Sequence, residues 1–225
     1  MTVLAVPVIN RPDLLARCIA SIDLDVQLLI IDNGNVAEDV PDDAWVLDMP
    51  HNLGYPASVN LAIKCYPAEP FWLISNADVE YAPGNLARLC EASSEYGWVG
   101  LTDWRTFAIT ADTIERVGWL DENYHPAFVE DADYERRCTL AGIRWGFIPG
   151  GTTHERSVSL QEYGPDNARS YPSNVAYHQR KWGAGVRGPG GFTTPHDRGG
   201  AVADGTQPDL SRLRQNAWHH PDHRS

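Results

Sequence analysis

The sequence predicts an α/β fold with a mostly parallel central sheet flanked by helices. Three observations favour this class: short apolar segments alternate with amphipathic ones over the first 150 residues, turn residues separate them, and their lengths suit strands and helices. The chain has 225 residues, 43% hydrophobic and 21% charged, which suffices for one domain with a packed core. We expect this domain over residues 1–183 and an irregular C-terminal tail, rich in Gly, Pro and His, over residues 184–225.

Five predicted strands are short apolar runs that end at polar or turn residues. They cover residues 3–6, 27–31, 45–49, 71–75 and 144–148. Pro7 is expected to stop the first strand, and the turn sequence Asp32-Asn33-Gly34 ends the second. The fourth strand ends at Ser75-Asn76-Ala77-Asp78, four residues that a core has little use for.

Six predicted helices have apolar residues at helical spacing. They cover residues 12–22, 56–66, 85–96, 111–117, 130–141 and 173–182. Pro12 opens the first helix, Gly142 ends the fifth, and Ser173 caps the sixth. The four cysteines fall in these helices without C-x-x-C spacing, which predicts packed, reduced thiols.

The net charge of −12 argues against a nucleic-acid or anionic-membrane partner, because binding phosphates requires clustered Lys and Arg. No apolar run approaches the length of about 18 residues that a membrane span needs. The N-terminal residues also lack the charged start and cleavage site of a secretory signal. We therefore expect a cytoplasmic protein without an integral membrane segment.

Polar residues follow the ends of three predicted strands. Asn10, Asp32 and Asp78 each lie just beyond such an end. Ligands of open α/β sheets bind in the crevice beyond the carboxyl ends of the strands. The sequence therefore predicts that three polar loops converge on one cleft.

Six sequence segments in a fixed order resemble glycosyltransferase family 2, the inverting nucleotide-sugar transferases of the GT-A fold. They are VPVINRP, IIDNG, HNLGYPASVN, ISNADV, VGWLDENYHPAFVEDADYERRCTLAG and a following Thr153-His154. The resemblance covers residues 3–183. It implies metal-dependent transfer of a sugar from a nucleotide diphosphate sugar to a hydroxyl of a glycan, lipid-linked or protein acceptor.

The resemblance implies a divalent cation, Mn²⁺ or Mg²⁺, at Asp78 and His154. Asp78 is the last acid of the family's "DxD" motif, and carboxylates together with substrate phosphates are usual ligands of such ions. His154 is placed to complete the metal site, for which a neutral imidazole suits Mn²⁺. Asn76 stands where the motif has its first acid and can contact the donor through its amide. A turn role for Asp78 and a structural role for His154 are the alternatives.

Asp131 is the catalytic base that the resemblance implies. It belongs to the family's "ED" pair at the start of a helix, where it would accept the proton of the attacking hydroxyl. The alternative is that Glu130, Asp131 and Asp133 only complement the helix dipole in the first turn. Trp104 and Trp119 are expected to face the acceptor or to pack in the core.

The resemblance implies that the nucleotide side of the site lies at Pro7, Asn10, Arg11 and Asp32. The Asp32 carboxylate suits the imide N–H of a pyrimidine, which favours UDP or dTDP, and an Asx turn at Asp32 is compatible with that role. Arg11 either touches phosphate or lies in solvent.

The motif that resembles N-x-G-x-x-x-A-x-N adds three expectations. Asn52 and Gly54 are expected at the ligand, whereas Asn60 ties its helix to a neighbouring loop.

Lys181 lies near the end of the last predicted helix. It is expected either to meet the diphosphate or to complement the helix C-terminus.

Two other functional classes are compatible with the sequence. A non-catalytic nucleotide-sugar or glycan-binding module is favoured by Asn76 in place of an acid and opposed by Asp131. A nucleotidyltransferase would share the acidic sheet edge but normally has a basic, Gly-rich phosphate loop near its start.

The predicted C-terminal tail could also reach a neighbouring copy of the chain and form a homo-oligomer.

Overall fold

The computed structural model describes residues 1–150, 152–154 and 164–183. The strands are β1 (Thr2–Val8), β2 (Val26–Asp32), β3 (Trp45–Asp48), β4 (Phe71–Ser75), β5 (Val79–Tyr81), β6 (Trp98–Leu101), β7 (Thr106–Thr110), β8 (Trp145–Ile148) and β9 (Thr152–His154). The helices are α1 (Pro12–Ala20), α2 (Tyr55–Cys65), α3 (Asn85–Ala92), α4 (Ala111–Val117), α5 (Glu130–Leu140) and α6 (Gly164–Trp182).

Seven strands form a central sheet in the order β3-β2-β1-β4-β7-β6-β8. Six of them run in one direction, and β7 is antiparallel to both of its neighbours, β4 and β6. A separate pair, β5 and β9, is antiparallel. The expected α/β fold with a mostly parallel sheet is confirmed, although the sequence did not reveal β6, β7 or the small second sheet.

The prediction that Pro7 stops the first strand is wrong, because β1 continues to Val8. Pro7 pairs with Ile31 of β2, whereas β4 pairs only with residues 3–5 of β1. Beyond residue 5, β1 therefore has a sheet neighbour on one side only. Sheets tolerate proline at such edges, where its missing N–H costs no ladder hydrogen bond.

The sheet separates two hydrophobic layers. Along β1, Val3 and Ala5 face one layer and Leu4 and Val6 face the other, since successive side chains point to opposite faces of a strand. Helices α2, α4 and α5 cover the first layer, and α1 and α3 cover the second. Burial on both faces explains why the central strands are continuous apolar runs without polar alternation.

Several predicted boundaries differ from those of the structure. Helix α3 ends at Ala92 instead of residue 96, and α6 begins at Gly164, nine residues before the predicted cap at Ser173. All four cysteines are free thiols, as expected. No helix in the described part of the chain could cross a bilayer. The predicted tail over residues 184–225 lies outside the described residues.

Gly34 generates a prediction about the contact between the loops after β1 and β2. A Cβ atom at this position would lie 1.9 Å from the carbonyl oxygen of Ile9, so an alanine must displace the backbone. We expect Gly34→Ala to lower the free energy of unfolding by about 1–3 kcal/mol, the usual cost of overpacking. Urea denaturation measures this change.

Gly146→Ala is the matched control, because a Cβ there would lie 3.5 Å from its nearest neighbour, a ring carbon of Tyr96. Its effect should stay within about 0.5 kcal/mol. Equal effects of the two substitutions would contradict the close approach of the loops.

Candidate active site

The loops after β1, β2 and β4 lie at one edge of the sheet. These strands are parallel neighbours, and Val8 at the end of β1 pairs with Asp32 at the end of β2. The backbone N–H of Asn33 donates to the carbonyl oxygen of Val8 at 2.8 Å, which joins the first two loops. The segments that carry Asn10, Asp32 and Asp78 are thus brought to the same edge, as the strand order requires.

The Asp32 carboxylate organises the loop that follows β2. One oxygen accepts the N–H of Gly34 at 3.0 Å, and the other accepts the N–H groups of Val36 and Ala37, each at 2.7 Å. The residue is only 1% exposed. The expected Asx turn is confirmed. A carboxylate offers about four acceptor positions, so one remains for a nucleotide base, and that contact stays a prediction.

Arg11 is paired within the loop that precedes α1. Its backbone is left-handed, with φ of 58°, and its guanidinium donates to both oxygens of Asp13 at 2.7 and 2.6 Å. The hydrogen bond from Arg11 lowers the pKa of Asp13 to about 2. Contacts of Pro7, Asn10 and Arg11 with a nucleotide stay predictions, and a phosphate at Arg11 would have to compete with Asp13.

Asn52 and Gly54 form a turn before α2. The Asn52 side-chain oxygen accepts the N–H of Gly54 at 2.9 Å, and Gly54 has a left-handed φ of 83°. A Cβ on Gly54 would lie 2.8 Å from the carbonyl oxygen of Pro126. Glycine is therefore required here by an approaching protein segment, and contact of Asn52 or Gly54 with a ligand stays a prediction.

Asn60 ties α2 to the loop before α5, as the sequence predicts. Its amide nitrogen donates to the carbonyl oxygen of Leu120 at 2.9 Å, and its oxygen accepts the N–H of Leu120 at 3.0 Å. The nitrogen also donates to Glu122 at 2.9 Å. This buried two-way contact fixes the position of α2 relative to the segment that leads to Asp131.

The segments that carry Asp78 and His154 meet in the small second sheet. β5 begins directly after Asp78, and its first residue, Val79, pairs with His154 of β9. The N–H of Asn76 donates to the carbonyl oxygen of Arg105 at 2.7 Å, which fixes the preceding turn. A carboxylate and an imidazole nitrogen are a suitable donor pair for Mn²⁺. Within the described residues no cluster of three or more His, Cys, Asp or Glu side chains is arranged for a metal.

Tyr55, at the start of α2, contacts the segment that leads to the predicted base, since its backbone N–H donates to the carbonyl oxygen of Pro126 at 2.6 Å. Its hydroxyl is buried and accepts or donates no hydrogen bond within the described part of the chain. Burial raises the pKa of Tyr55, and carboxylate charges raise it further, in decreasing order those of Glu130, Asp131, Asp78 and Asp103. Burial and these charges keep the Tyr55 hydroxyl in its neutral form.

The backbone before Asp131 adopts an unusual conformation. Phe128 and Val129 have φ angles of 80° and 76°, in the left-handed region that β-branched residues such as valine rarely enter. α5 begins immediately afterwards, at Glu130. Residues held in sparsely populated conformations cost about 1–3 kcal/mol each and cluster at functional sites.

Asp133 is the centre of a buried ionic network between α5 and α6. Its carboxylate is fully buried and pairs with Arg137 at 2.9 Å and Lys181 at 2.7 Å, and it accepts the indole N–H of Trp182 at 2.7 Å. Burial would raise the pKa of Asp133, but the charges of Arg137 and Lys181 lower it below its usual value. Asp133 therefore has a structural role beyond the predicted helix-dipole effect.

Lys181 also pairs with Asp121, at 2.6 Å, and its side chain is 7% exposed. Burial would raise the pKa of Asp121, but Lys181 lowers it to about 2. Lys181 lies in the last turn of α6, as the helix-end interpretation expects, and its contact with the diphosphate stays a prediction. The sequence did not predict that its ammonium is buried between two carboxylates.

The two tryptophans expected at the acceptor pack against protein. Trp104 stacks on Trp98 with ring centroids 4.0 Å apart and donates its indole N–H to Glu135 at 2.7 Å. The ammonium of Lys64 lies 5.0 Å from the ring centroid of Trp119. The packing alternative accounts for these contacts.

Sequence reasoning did not single out Tyr55 or Asp103. Tyr55 follows Gly54 in the quoted HNLGYPASVN segment, so its motif was a signal that could have found it. Asp103 binds the guanidinium of Arg105, and the nearby charge of Asp78 contributes to raising the pKa of Arg105. Nothing in the local sequence distinguishes Asp103 from a turn residue.

Comparisons with known proteins indicate the family to which the chain belongs. The model of glycosyl transferase family 2 matches residues 3–141. A galactofuranosyl glycosyltransferase of Leishmania donovani is 38% identical over 73 residues, which are 32% of this chain and 17% of that protein.

The fold is similar to those of solved glycosyltransferases. S. aureus TarS superposes with a TM-score of 0.55 and 13% identity over 81% of this chain and 44% of that chain. A shorter form, TarS 1-349 in complex with UDP, has a TM-score of 0.54 and 13% identity, over 78% of this chain and 65% of that chain. The catalytic domain of Drosophila beta1,4galactosyltransferase 7, in complex with xylobiose, has a TM-score of 0.52 and 12% identity, over 69% of this chain and 71% of that chain. At these identities the likeness concerns the fold. The chain spans less than half the length of the full TarS chain and about a sixth of the galactofuranosyl protein.

Glu130 generates a prediction about pH dependence. Burial and the charge of Asp131 raise the pKa of Glu130 to about 8, against about 4.3 in an unfolded chain. The folded protein therefore retains a proton that the unfolded chain has released, and the stability linked to it is complete below about pH 4 and lost towards about pH 8. We expect the unfolding free energy of the wild type to fall relative to that of Glu130→Gln as the pH rises across this window.

Urea denaturation at several pH values measures this difference. Glu95→Gln is the control, because Glu95 is an exposed glutamate at the surface. A difference between wild type and Glu130→Gln that does not change with pH would contradict the burial of an ionisable carboxyl at this position.

Proposed function

Because the chain belongs to glycosyl transferase family 2, we propose that it transfers a sugar from a nucleotide diphosphate sugar to an acceptor hydroxyl. The observation that carries this proposal is the placement of the loops after β1, β2 and β4 at one edge of the sheet. The start of α2 is joined to the segment that leads to Asp131, because the N–H of Tyr55 donates to the carbonyl oxygen of Pro126 at 2.6 Å. A transferase of this kind needs one acid at the leaving diphosphate and a second at the attacking hydroxyl, and we assign these roles to Asp78 and Asp131.

Asp131 acts as the general base in an inverting single displacement. Its carboxylate accepts the proton of the acceptor hydroxyl while that oxygen forms a bond to the anomeric carbon of the donor. The bond between the anomeric carbon and the diphosphate oxygen breaks, and the nucleoside diphosphate leaves with the electron pair. The position of Asp131 in the first turn of α5, on a packed scaffold, supports this role because a base must be held within hydrogen-bond reach of its proton.

Asp78 and His154 would hold a divalent cation, Mn²⁺ or Mg²⁺. The pairing of Val79 with His154 supports this assignment, because it brings the two residues' segments together. A cation held there would supply electrostatic stabilisation of the negative charge that develops on the leaving group. Asn76 would contribute an amide in place of an acid.

The donor is a pyrimidine nucleotide sugar, with UDP or dTDP favoured. The buried Asp32 carboxylate at the end of β2 supports this choice because it has acceptor capacity left for an imide N–H. The TarS structure with bound UDP belongs to a protein of similar fold and supports the same choice. The acceptor hydroxyl belongs to a glycan, a lipid-linked glycan or a protein.

Substitution of the proposed base gives the first test of this function. We expect Asp131→Asn to lower the rate of sugar transfer by about 10²–10⁴-fold, the usual contribution of a general base, while donor binding is retained. Release of nucleoside diphosphate from a panel of nucleotide sugars measures the rate.

Asp112→Asn is the matched control, because Asp112 also lies in the first turn of a helix, α4, but at an exposed position. It should leave transfer unchanged. Equal losses in the two variants would favour the helix-dipole interpretation of Asp131. Donor binding without turnover in the wild type would favour a non-catalytic binding module.

Substitution of the proposed metal ligand gives a separate prediction. In the wild type, a donor at about 100 times its Kd should raise the free energy of unfolding by about 2.7 kcal/mol. We expect this gain to require Mn²⁺ or Mg²⁺ and to disappear in Asp78→Asn. Thermal-shift titration of UDP-, dTDP- and GDP-sugars with and without the metal measures it. Stabilisation by a donor in the absence of any divalent ion would contradict the metal role of Asp78.

A further inference from the structure

Asn174 on α6 contacts the unusual turn that precedes Asp131. Its side chain is 3% exposed, and its amide nitrogen donates to the carbonyl oxygens of Ala127 at 2.8 Å and Phe128 at 3.1 Å. A side-chain amide has two N–H donors, and both are used here on consecutive carbonyl groups. These carbonyls immediately precede the left-handed φ angles of Phe128 and Val129.

The left-handed pair needs support from outside its own segment. Val129 is β-branched and 3% exposed, so its conformation is unfavourable for an isolated chain. Such conformations persist only where the surrounding structure over-determines them. The two hydrogen bonds from Asn174 supply a constraint of this kind, since they fix the direction of both carbonyls.

The same face of α6 holds α5 at a second point. Asn174, His178, Lys181 and Trp182 recur at positions i, i+4, i+7 and i+8, which lie on one side of a helix. Lys181 and Trp182 bind Asp133, and His178 pairs with the Tyr124 hydroxyl at 2.9 Å. Asp131 therefore lies between two attachments to α6, one before it and one after it.

We propose that Asn174 is a positioning residue for Asp131. By holding the carbonyls of Ala127 and Phe128, it fixes the turn from which α5 begins and so the direction in which the Asp131 carboxylate points. The inference rests on the proposed function for its kinetic consequence. α6 lies beyond residues 3–141, the segment that the family model matches.

Two variants of Asn174 test the inference. Asn174→Ala removes both donors, and Asn174→Ser keeps one short hydroxyl donor. We expect Asn174→Ala to lower kcat by about 10- to 100-fold with the KM for the donor changed by less than about threefold, because a base displaced by about 1 Å costs turnover more than binding. Asn174→Ser should fall between the wild type and Asn174→Ala.

Thr110→Ala is the control for a purely structural effect. The Thr110 side chain caps α4 by accepting the N–H of Thr113 at 3.2 Å, so its loss also removes a hydrogen bond to the backbone. Thr110 pairs with Phe71 at the start of β4, at the end of that strand remote from Asp78. We expect Thr110→Ala to keep kcat within about twofold of the wild type under conditions where it is folded. An equal loss of kcat in Thr110→Ala, or a wild-type kcat in Asn174→Ala, would overturn the inference.

Hydrogen exchange separates this inference from the proposed function. Amides of residues 128–133 should lose protection in Asn174→Ala and keep it in Thr110→Ala, whether or not the protein transfers sugar. Unchanged protection in Asn174→Ala would overturn the inference on its own. A wild-type protein that transfers no sugar from any donor would instead overturn the proposed function.

Discussion

The burial of the Asp133 carboxylate is the constraint on which the arrangement of the site depends. An ionised carboxylate removed from water requires opposite charge and hydrogen bonds at the same place. Arg137 supplies one charge from the same helix, and Lys181 and Trp182 supply the other charge and an N–H from α6. Because those partners belong to another helix, neutralising Asp133 holds α6 against the start of α5. The predicted base then lies on a helix end that cannot tilt freely.

A second constraint comes from the carboxylate charges that act on the buried Tyr55 hydroxyl. The charges of four carboxylates raise the pKa of the buried Tyr55 hydroxyl, and the charge of Asp131 raises the pKa of Glu130, so further negative charge is unfavourable here. Two features of the protein reduce this repulsion: Glu130 retains a proton, as its raised pKa indicates, and Arg105 pairs with Asp103. The proposed divalent cation at Asp78 would add a third. A site with this composition suits a reaction in which negative charge develops on a departing diphosphate.

The sequence predicted those features that depend on neighbours along the chain or on the order of the strands. The Asx turn at Asp32 and the placement of three polar loops at one sheet edge are of this kind. The sequence was less informative about residues whose role depends on partners that are distant along the chain. The pairing of Lys181 with Asp121 and Asp133 appears only when α6 packs on α5, so local helix-end rules did not reveal these two partners. Strands β6 and β7 were missed because a short segment between helices, interrupted by turn residues, has no clear period.

The position of α6 has a consequence for the limits of the folding unit. The family model matches residues 3–141, yet the partners that neutralise Asp121 and Asp133 lie on a helix that ends at Trp182. A polypeptide cut after residue 141 would keep Arg137 and the Tyr124 hydroxyl at Asp133 but lose Lys181 and Trp182, and Asp121 would lose its ammonium partner. The part of the chain that folds as one unit is therefore larger than the segment that the family model matches. Relatives that share this segment can differ in which cations pair with their equivalent carboxylates.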